Sequence, residues 1–259
     1  MSDVFRSGEK ALFIDSKKRR YLVTLNDEGE FHSHAGFVPH SQLIGKKPGA
    51  VLESTKGARY IVVRPTLEDF VVEMPRGAQV IYPKDLAPIC MLADIGPGMR
   101  VFESGLGSGA LSMTMLRYGA YIVGYEIRDD FLQRARANVR SFLGESALDR
   151  YDVHLRDCYE GIDERGLDRV VLDLPEPWRV VPHATEALRP GGMLVVNFMA
   201  FDKKLDALCG RMERSFKSRV LLVDAADRVN VIALAFREGP DRVALRELRG
   251  RATALKEVF

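Results

Sequence analysis

The stretch Val101-Phe102-Glu103-Ser104-Gly105-Leu106-Gly107-Ser108-Gly109-Ala110-Leu111 decides the fold of this chain. Its apolar start predicts a buried strand ending at Glu103, and three glycines at alternate positions lead into an apolar helical pattern. Glycine adopts positive φ at little steric cost and lets a ligand approach the N–H groups at a helix start. In an open parallel sheet such a turn lies in the crevice where ligands bind. The loop therefore predicts a cofactor site, and its spacing fits both NAD and S-adenosylmethionine.

Composition and cysteine usage restrict the class of protein. Of the 259 residues, 46% are hydrophobic and 29% are charged, as in an ordinary soluble globular protein. No apolar run approaches the roughly 18–20 residues that cross a bilayer, and the N-terminus has no apolar signal-peptide core. Three widely spaced cysteines encode neither a disulfide framework nor a zinc ribbon. We expect a cytoplasmic protein without membrane contact, and its net charge of +2 requires any RNA surface to be a local basic patch.

Residues 1–75 are predicted to form a small β-rich N-terminal domain. Short apolar runs separated by turn residues indicate strands, and no long helical periodicity interrupts them. These strands are predicted at 11–14, 21–25, 50–52 and 60–64. The basic run Lys17-Lys18-Arg19-Arg20 lies between the first two strands. It is either a solvated hairpin tip or a direct RNA contact.

Three histidines of this domain are candidate metal ligands. His32 and His34 would share one face of a strand, because side chains two apart point the same way. No cysteine follows them or His40 at ligand spacing, and no acidic residue lies within the cluster. We therefore expect structural or RNA-facing roles for the three histidines, and no metal.

Residues 76–259 are predicted to form a second, cofactor-binding domain. After the glycine loop, strand and helix patterns alternate, which indicates a doubly wound parallel sheet. Strands are predicted at 121–125, 151–155, 170–172 and 193–198, with helices at 130–142 and 203–216 and a helix that closes at 185–188 before Pro190-Gly191-Gly192. The last two strands, at 219–223 and 229–236, are joined by too few residues for a helical crossover and must pair antiparallel. This seven-stranded, Rossmann-like α/β arrangement is typical of a class I S-adenosylmethionine-dependent methyltransferase.

Three successive strands end on a carboxylate. Glu126 lies 21 residues after Gly105, where an acid accepts hydrogen bonds from ribose hydroxyls. Asp157 would suit an adenine amino group, and Asp173 follows the fourth strand. No phosphate partner is evident in the loop, and Glu103 would repel a pyrophosphate, which favours a cationic sulfonium cofactor over NAD.

Asp173 opens the second informative segment, Asp173-Leu174-Pro175-Glu176-Pro177-Trp178. Its prolines prevent a strand or helix from continuing, so the aspartate is presented from a rigid turn. Trp178 is the only tryptophan. It either anchors this turn on the core or stacks on a base.

The chain resembles the tRNA (adenine-58-N1)-methyltransferase family, and its archaeal and bacterial homo-oligomeric branch more than the eukaryotic two-subunit one. The resemblance spans most of the chain, and two segments are quite specific to the family: Tyr82-Pro83-Lys84-Asp85 and the turn from Asp173 to Trp178. The other matching segments are Phe31-His32-Ser33-His34-x-Gly36, Leu43-Ile44-Gly45, Arg64-Pro65-Thr66, Met74-Pro75-Arg76-Gly77-x-Gln79-Val80-Ile81, the glycine loop and Tyr125-Glu126.

The resemblance implies transfer of a methyl group from S-adenosylmethionine to N1 of an adenine in the T-loop of tRNA, at position 58 and with 57 as a further candidate. It further implies a homotetramer that grips the tRNA across subunits. Asp173 and Tyr82 would be the catalytic residues. The residues implied to hold the cofactor are Gln79, Glu103, Gly105, Gly107, Ser108, Gly109, Ala110, Leu111, Glu126, Phe131, Asp157 and Asp173.

The C-terminus departs from the family pattern and keeps alternatives open. Family members end with a segment rich in Arg-Pro and His-Thr-Gly, whereas this chain ends with a pattern that places Arg242, Arg246 and Arg249 on one helical face. A methyltransferase of the same descent with another RNA or a small-molecule substrate is therefore one alternative. A non-catalytic RNA-binding relative and an NAD-dependent dehydrogenase are the others.

Overall fold

The computed structural model describes residues 3–77, 79–199, 202, 204–217, 219–224 and 229–238. It divides into two compact units, Met1–Pro75 and Arg76–Phe259. Arg242, Arg246 and Arg249, which the sequence places on one helical face, lie outside the described residues. No helix among the described residues is long and apolar enough to cross a membrane.

The first unit is built from short antiparallel strands and one helix. Its strands are β1 Lys10–Asp15, β2 Arg20–Thr24, β3 Glu30–Ser33, β4 Gly36–Pro39, β5 Ala50–Glu53 and β6 Arg59–Val63. One sheet has the order β2-β1-β6-β5, and β3 pairs with β4 in a separate hairpin. Phe13, Phe31 and Tyr60 fill the core, with the rings of Phe13 and Phe31 stacked at 4.4 Å. The predicted β-rich N-terminal region is confirmed.

A short helix, α1 Leu67–Glu73, was not predicted from the sequence. Seven residues are too few to show a helical period, and the helix depends on its first turn instead. Thr66 Oγ1 accepts the N–H of Asp69, and the Asp69 carboxylate accepts the N–H of Thr66. This reciprocal capping box satisfies N–H groups that the helix itself leaves without partners.

The basic run forms the turn between β1 and β2. Arg19 Nε donates to Asp15 Oδ2 at 2.6 Å, and Arg20 forms an ion pair with Asp69. Lys18 has a φ of 63°, as expected of a tight turn. The run is thus a hairpin tip in which both arginines already have carboxylate partners.

His32 and His34 do not share a strand face, so that part of the sequence interpretation is wrong. β3 ends at Ser33, and His34 lies in the turn that follows. His34 Nε2 lies 3.2 Å from Arg19 Nη2, whereas His32 Nε2 lies 3.0 Å from Glu30 Oε2. His40 is buried and accepts the N–H of Asn26, and burial lowers its pKa. Within the described residues, no group of three or more His, Cys, Asp or Glu side chains could hold a metal ion.

The second unit is a seven-stranded mixed sheet with helices. Its strands are β7 Arg100–Ser104, β8 Tyr121–Glu126, β9 Tyr151–Leu155, β10 Leu167–Leu172, β11 Leu188–Met199, β12 Val220–Asp224 and β13 Asn230–Phe236. Its helices are α2 Pro83–Leu92, α3 Ala110–Arg117, α4 Asp129–Leu143, α5 Val181–Ala187 and α6 Leu205–Ser215. The strand order is β12-β13-β11-β10-β7-β8-β9. β13 pairs antiparallel with both of its neighbours, and the other pairs are parallel, which confirms the predicted fold class.

The segment Pro190-Gly191-Gly192 differs from the prediction. The helix before it ends at Ala187, and the three residues lie inside β11 rather than outside a strand. Leu167 pairs with Leu188 and Arg169 with Met193, so β11 carries extra residues opposite β10. Such a bulge breaks the regular alternation, which explains why the sequence pattern indicated a helix stop and a later strand start.

Candidate active site

The turn after β7 is shaped by glycines whose backbone no other residue would adopt easily. Gly105, Gly107 and Gly109 have φ angles of 88°, 52° and 81°. A Cβ on Gly105 would lie 2.1 Å from the carbonyl oxygen of Asp173, and one on Gly109 would lie 3.2 Å from Ala135 Cα. The loop therefore packs tightly against its neighbours at two glycines. At Gly107 a Cβ would meet nothing within 4 Å, which leaves open space beside the backbone.

The loop leads directly into α3, where Ala110 and Leu111 occupy the first turn with buried side chains. Gly109 is the N-cap and provides no side-chain hydrogen bond to the N–H groups that follow. Asn138 Nδ2 donates to the carbonyl of Ser108 at 2.9 Å, which fixes the loop from α4. The Ser108 hydroxyl is buried and has no hydrogen-bond partner among the described residues. Ala110 and Leu111 therefore offer a ligand their backbone rather than their side chains.

Glu103 is a buried carboxyl at the base of the loop. Its Oε2 accepts the hydroxyl proton of Ser112 at 2.7 Å, whereas its Oε1 has no partner among the described residues. The pKa of Glu103 is raised to about 8, chiefly by burial, with smaller upward contributions from Asp173 and Glu126 and an opposing effect of the Ser112 hydrogen bond. Burial thus favours the protonated form of this carboxyl, which weakens the negative charge that the sequence analysis assigned to it.

We expect Glu103 to make the protein less stable as the pH rises from 4.5 to about 8. In this window the unfolded chain releases the proton while the folded chain keeps it, which favours unfolding. Urea unfolding at a series of pH values measures the effect. Glu103→Gln should remove this part of the slope, whereas Glu145→Gln, at an exposed surface ion pair, should keep it. An unchanged slope in Glu103→Gln would show that the carboxyl ionises normally in the fold.

Glu126 ends β8 beside the glycine loop. Its Oε2 accepts the N–H of Gly107 at 3.3 Å, and its Oε1 accepts the N–H of Arg128 at 3.0 Å. Each carboxylate oxygen can accept a second hydrogen bond, so Glu126 can hold the loop and still bind hydroxyl groups. The strand-end position predicted from the sequence thus brings Glu126 to the backbone of Gly107.

Two further predicted cofactor residues lie on neighbouring elements. Asp157 follows β9 by two residues, and its Oδ1 accepts the N–H of Tyr159 at 2.8 Å. Phe131 lies on α4 under the guanidinium of Arg128, whose Cζ is 3.7 Å from the ring centroid. Gly77 faces this ring, since a Cβ there would lie 3.0 Å from Phe131 Cε1. Phe131 is therefore held in place between a cation and a backbone segment.

Asp173 faces a cavity of about 500 Å³ beyond the C-terminal ends of β10 and β11. Its N–H donates to the Ser104 carbonyl at 3.1 Å, which continues the β10–β7 pairing and fixes the aspartate at the strand end. Gln79 and Tyr82 line the same cavity, and Tyr82 is 43% exposed. Burial raises the pKa of Asp173. The two residues predicted as catalytic, Asp173 and Tyr82, thus lie on one cavity.

The cavity has polar residues to which the sequence analysis gave no role. Asn197 Nδ2, from β11, donates to Asp173 Oδ1 at 3.0 Å. Asp85 is buried, and Lys84 Nζ contacts both its oxygens, at 3.0 and 2.8 Å. Asn230 Nδ2, from β13, lies 3.3 Å from Asp85 Oδ2. Lys84 and Asp85 stood in a family-like motif, but nothing in the sequence paired Asn197 with Asp173, 24 residues away.

Trp178 packs on the core beside this turn. Its ring lies 6.2 Å from that of Phe198 in an edge-to-face arrangement, and Lys204 Nζ lies 5.0 Å from the Trp178 ring centroid. Of the two roles predicted from the sequence, these contacts favour the anchor.

Comparison with known proteins decides the family. The family model of the tRNA methyltransferase complex GCD14 subunit matches residues 59–215, more than half of the chain. The model of a TrmI-like N-terminal region matches residues 4–52. The chain belongs to the GCD14 tRNA methyltransferase family.

Curated members of the GCD14 family are similar over most of this chain. The tRNA (adenine(58)-N(1))-methyltransferase TrmI of Thermus thermophilus is 40% identical over 188 residues, covering 71% of this chain and 72% of the relative. The tRNA (adenine(57)-N(1)/adenine(58)-N(1))-methyltransferase TrmI of Methanocaldococcus jannaschii is 31% identical over 215 residues, covering 73% and 75%. The dehydrogenase alternative is therefore wrong, and the predicted cofactor, S-adenosylmethionine, is confirmed.

Solved structures show the same fold. The tRNA (m1A58) methyltransferase TrmI of Aquifex aeolicus matches with a TM-score of 0.74 at 20% identity, covering 90% of this chain and 98% of that chain. A SAM-dependent O-methyltransferase of Thermotoga maritima matches with a TM-score of 0.76 at 23% identity, covering 93% and 97%. Both support the class I methyltransferase fold of this GCD14 family member.

The glycine loop of this family member fits S-adenosylmethionine. The open space at Gly107 and the buried Ser108 hydroxyl lie on one loop, and Glu103 Oε1 lies at its base. Neither oxygen has a hydrogen-bond partner in the part of the chain that the structure describes. A cationic ligand bound nearby would lower the pKa of Glu103 and stabilise its ionised carboxylate. A sulfonium cofactor with an amino group brings such charge and no phosphate.

We expect Glu126→Gln to weaken the binding of S-adenosylhomocysteine about 10- to 100-fold, because a hydrogen bond to a charged group contributes about 1.5–3 kcal/mol. Glutamine keeps one oxygen for the loop but removes the charge and one acceptor. Calorimetry measures the dissociation constant, with Glu186→Gln, at an exposed carboxylate on α5, as the matched control. Equal affinities of Glu126→Gln and the parent would remove Glu126 from the cofactor site.

Proposed function

We propose that this protein transfers the methyl group of S-adenosylmethionine to N1 of an adenine in the T-loop of tRNA, at position 58. The observation that carries the proposal is the position of Asp173. Its carboxylate faces the cavity from the strand next to the glycine loop, and its carbonyl oxygen packs against Gly105 itself. In a member of this family, Asp173 would then contact both the cofactor loop, through its carbonyl oxygen, and the cavity for the target base, through its carboxylate.

The reaction needs alignment and charge stabilisation more than proton removal. N1 of adenine carries an in-plane lone pair at neutral pH, and the cofactor supplies the electrophilic methyl group. The methylated base is a cation, so a fixed carboxylate near it stabilises charge as it develops. Asp173 fills this role and orients the adenine amino group, while Tyr82 and Gln79 close the cavity over the base. Alignment of the reacting atoms supplies much of the remaining acceleration.

The cofactor residues divide by chemistry. Glu126 binds the ribose hydroxyls, Asp157 the adenine amino group, and Phe131 the face of the adenine ring. Glu103 neutralises the methionine end from below the loop. The loop backbone from Gly105 to Leu111, through Gly107, Ser108, Gly109 and Ala110, surrounds the cofactor without side chains that would block it.

Three broader properties belong to the same proposal. Relatives that modify tRNA at position 58 support a cytoplasmic protein that binds tRNA. Because N1 lies on the pairing edge, the target base must leave its stack to enter the cavity. A homotetramer that holds the tRNA across subunits is the assembly implied by the resemblance to the homo-oligomeric branch.

Two measurements test the function. Thermal shifts with S-adenosylhomocysteine and with NADH should show stabilisation by the first alone. Transfer of labelled methyl groups to unmodified tRNA should then depend on the base at position 58. A tRNA with guanine there and an intact adenine at 57 separates the two positions. If a tRNA without adenine at position 57 or 58 were labelled as strongly as the unaltered tRNA, the proposal would be contradicted.

We expect tRNA binding to depend on the cleft beside the β1–β2 turn. This cleft of about 360 Å³ is lined by Lys17, Arg19, His34 and Arg59. Replacing Lys17 and Arg59 together with alanine should flatten the slope of log affinity against log salt by about one unit for each phosphate that the variant no longer neutralises. Arg20→Ala, at an arginine already paired with Asp69, should keep the parent slope. A double variant with the parent slope would show that the tRNA phosphates bind elsewhere.

A further inference from the structure

Asp173 and Asn197 form a pair in which the amide depends on the carboxylate. Asn197 Nδ2 donates to Asp173 Oδ1 at 3.0 Å, and Asn197 Oδ1 is buried with no partner among the described residues. The hydrogen bond to Asp173 therefore sets the orientation of the side-chain amide. A carboxylate only accepts hydrogen bonds, so this orientation is the one that suits ionised Asp173.

Asp85 affects the ionisation of the Asp173 carboxyl in the direction opposite to Asn197. It lies on α2, lines the same cavity and is 2% exposed. Lys84 contacts both its oxygens and Asn230 contacts one, so its position is fixed by two donors. A buried negative charge held there opposes a second negative charge on Asp173.

Two further acidic residues lie near Asp173, but Asp85 is the one whose charge raises the pKa of Asp173. Glu103, from β7, is buried and electrostatically coupled to Asp173, and Asp202 lines the same cavity. Of the described residues that line the cavity, Lys84 is the cation, and its ammonium group contacts the Asp85 carboxylate. Among the residues that the structure describes, Asn197 is therefore the side chain seen to donate directly to the Asp173 carboxyl.

We propose that Asn197 is a positioning residue that keeps Asp173 ionised for methyl transfer, and that Asp85 sets the opposing bias. This inference rests on the proposed function. Within the buried site, the two residues adjust in opposite directions how much of Asp173 is charged at a given pH. The effects on its pKa agree: burial raises it most, Asn197 lowers it, and Asp85 raises it.

The sign of each effect follows from the geometry. Without the Asn197 donor, ionised Asp173 loses its hydrogen bond in a partly buried site, so its pKa rises. Without the Asp85 charge, the repulsion disappears and Lys84 is left without that partner charge, so the pKa of Asp173 falls. General disruption of the cavity would not shift the pKa of Asp173 in opposite directions in the two variants.

The test is the pH profile of single-turnover methyl transfer to tRNA at saturating cofactor. The parent should show a rate that rises with pH as Asp173 ionises. Asn197→Leu, which keeps the volume and removes the donor, should move the midpoint to higher pH by on the order of one unit. Asp85→Asn should move it to lower pH.

Asp152→Asn is the matched control, since this exposed aspartate on β9 pairs with His154 at the surface and should leave the midpoint unchanged. Thermal unfolding shows that each variant folds. Opposite shifts in the two cavity variants support the inference, and any other pattern overturns it. A parent enzyme that makes no N1-methyladenosine at any pH would instead overturn the proposed function itself.

Discussion

Asp173→Asn is expected to slow methyl transfer about 100-fold or more, as does the loss of one preorganised charge-stabilising partner in other enzymes. The substitution keeps the size of the side chain and an oxygen that can accept the Asn197 amide proton. It removes the negative charge that faces the cavity. Geometry is thus retained while the stabilisation of the cationic product disappears. Single-turnover assays at saturating cofactor and tRNA measure the chemical step.

Asp224→Asn, at an exposed residue that ends β12, is the matched control and should react at the parent rate. Affinity for tRNA should change little in Asp173→Asn, because phosphate contacts dominate it. If Asp173→Asn retains nearly the parent rate, Asp173 is a structural turn residue and another group stabilises the charge.

Gly105→Ala is expected to destabilise the protein by about 2–5 kcal/mol, which combines left-handed backbone strain with overpacking. Gly105 has a φ of 88°, and the added Cβ would lie 2.1 Å from the carbonyl oxygen of Asp173. A backbone oxygen cannot rotate away as a flexible side chain could. The end of β10 would have to move, which displaces both the glycine loop and the Asp173 carboxylate. Urea unfolding and calorimetry with S-adenosylhomocysteine measure the two effects.

Gly98→Ala is the control that separates the cost of backbone strain from the cost of steric overlap with a neighbouring atom. Gly98 has a φ of 79°, but its Cβ would meet nothing within 4 Å. This variant should lose only about 1–2 kcal/mol of stability and should bind S-adenosylhomocysteine as the parent does. If Gly105→Ala were as stable as Gly98→Ala and bound S-adenosylhomocysteine equally well, the inferred close contact between Asp173 and the loop would be contradicted.

The parts of the site that the sequence predicted are those tied to strand ends. Glu126 and Asp173 were found because a carboxylate that follows an apolar run in a parallel sheet must reach the ligand crevice. The glycine loop was found because positive φ and close approach leave few choices of residue. For these residues, the properties of the neighbouring sequence were sufficient to predict their positions.

The parts that the sequence did not predict depend on contacts between distant segments. Asn197 meets Asp173, and Asn230 meets Asp85 across 145 residues, and no local pattern encodes such pairs. The burial that raises the pKa of Glu103 likewise depends on the packed fold. The bulge at Pro190-Gly191-Gly192 was missed because its residues are those of an ordinary turn, and only pairing with β10 distinguishes the two.

The most direct test of the central claim is nucleoside mass spectrometry of unmodified tRNA after incubation with the purified protein and S-adenosylmethionine. The predicted result is N1-methyladenosine as the product in the parent enzyme, mapped to position 58 and strongly reduced in Asp173→Asn. A methyl group on another atom or another nucleoside, or equal N1-methyladenosine from the parent and Asp173→Asn, would contradict the account.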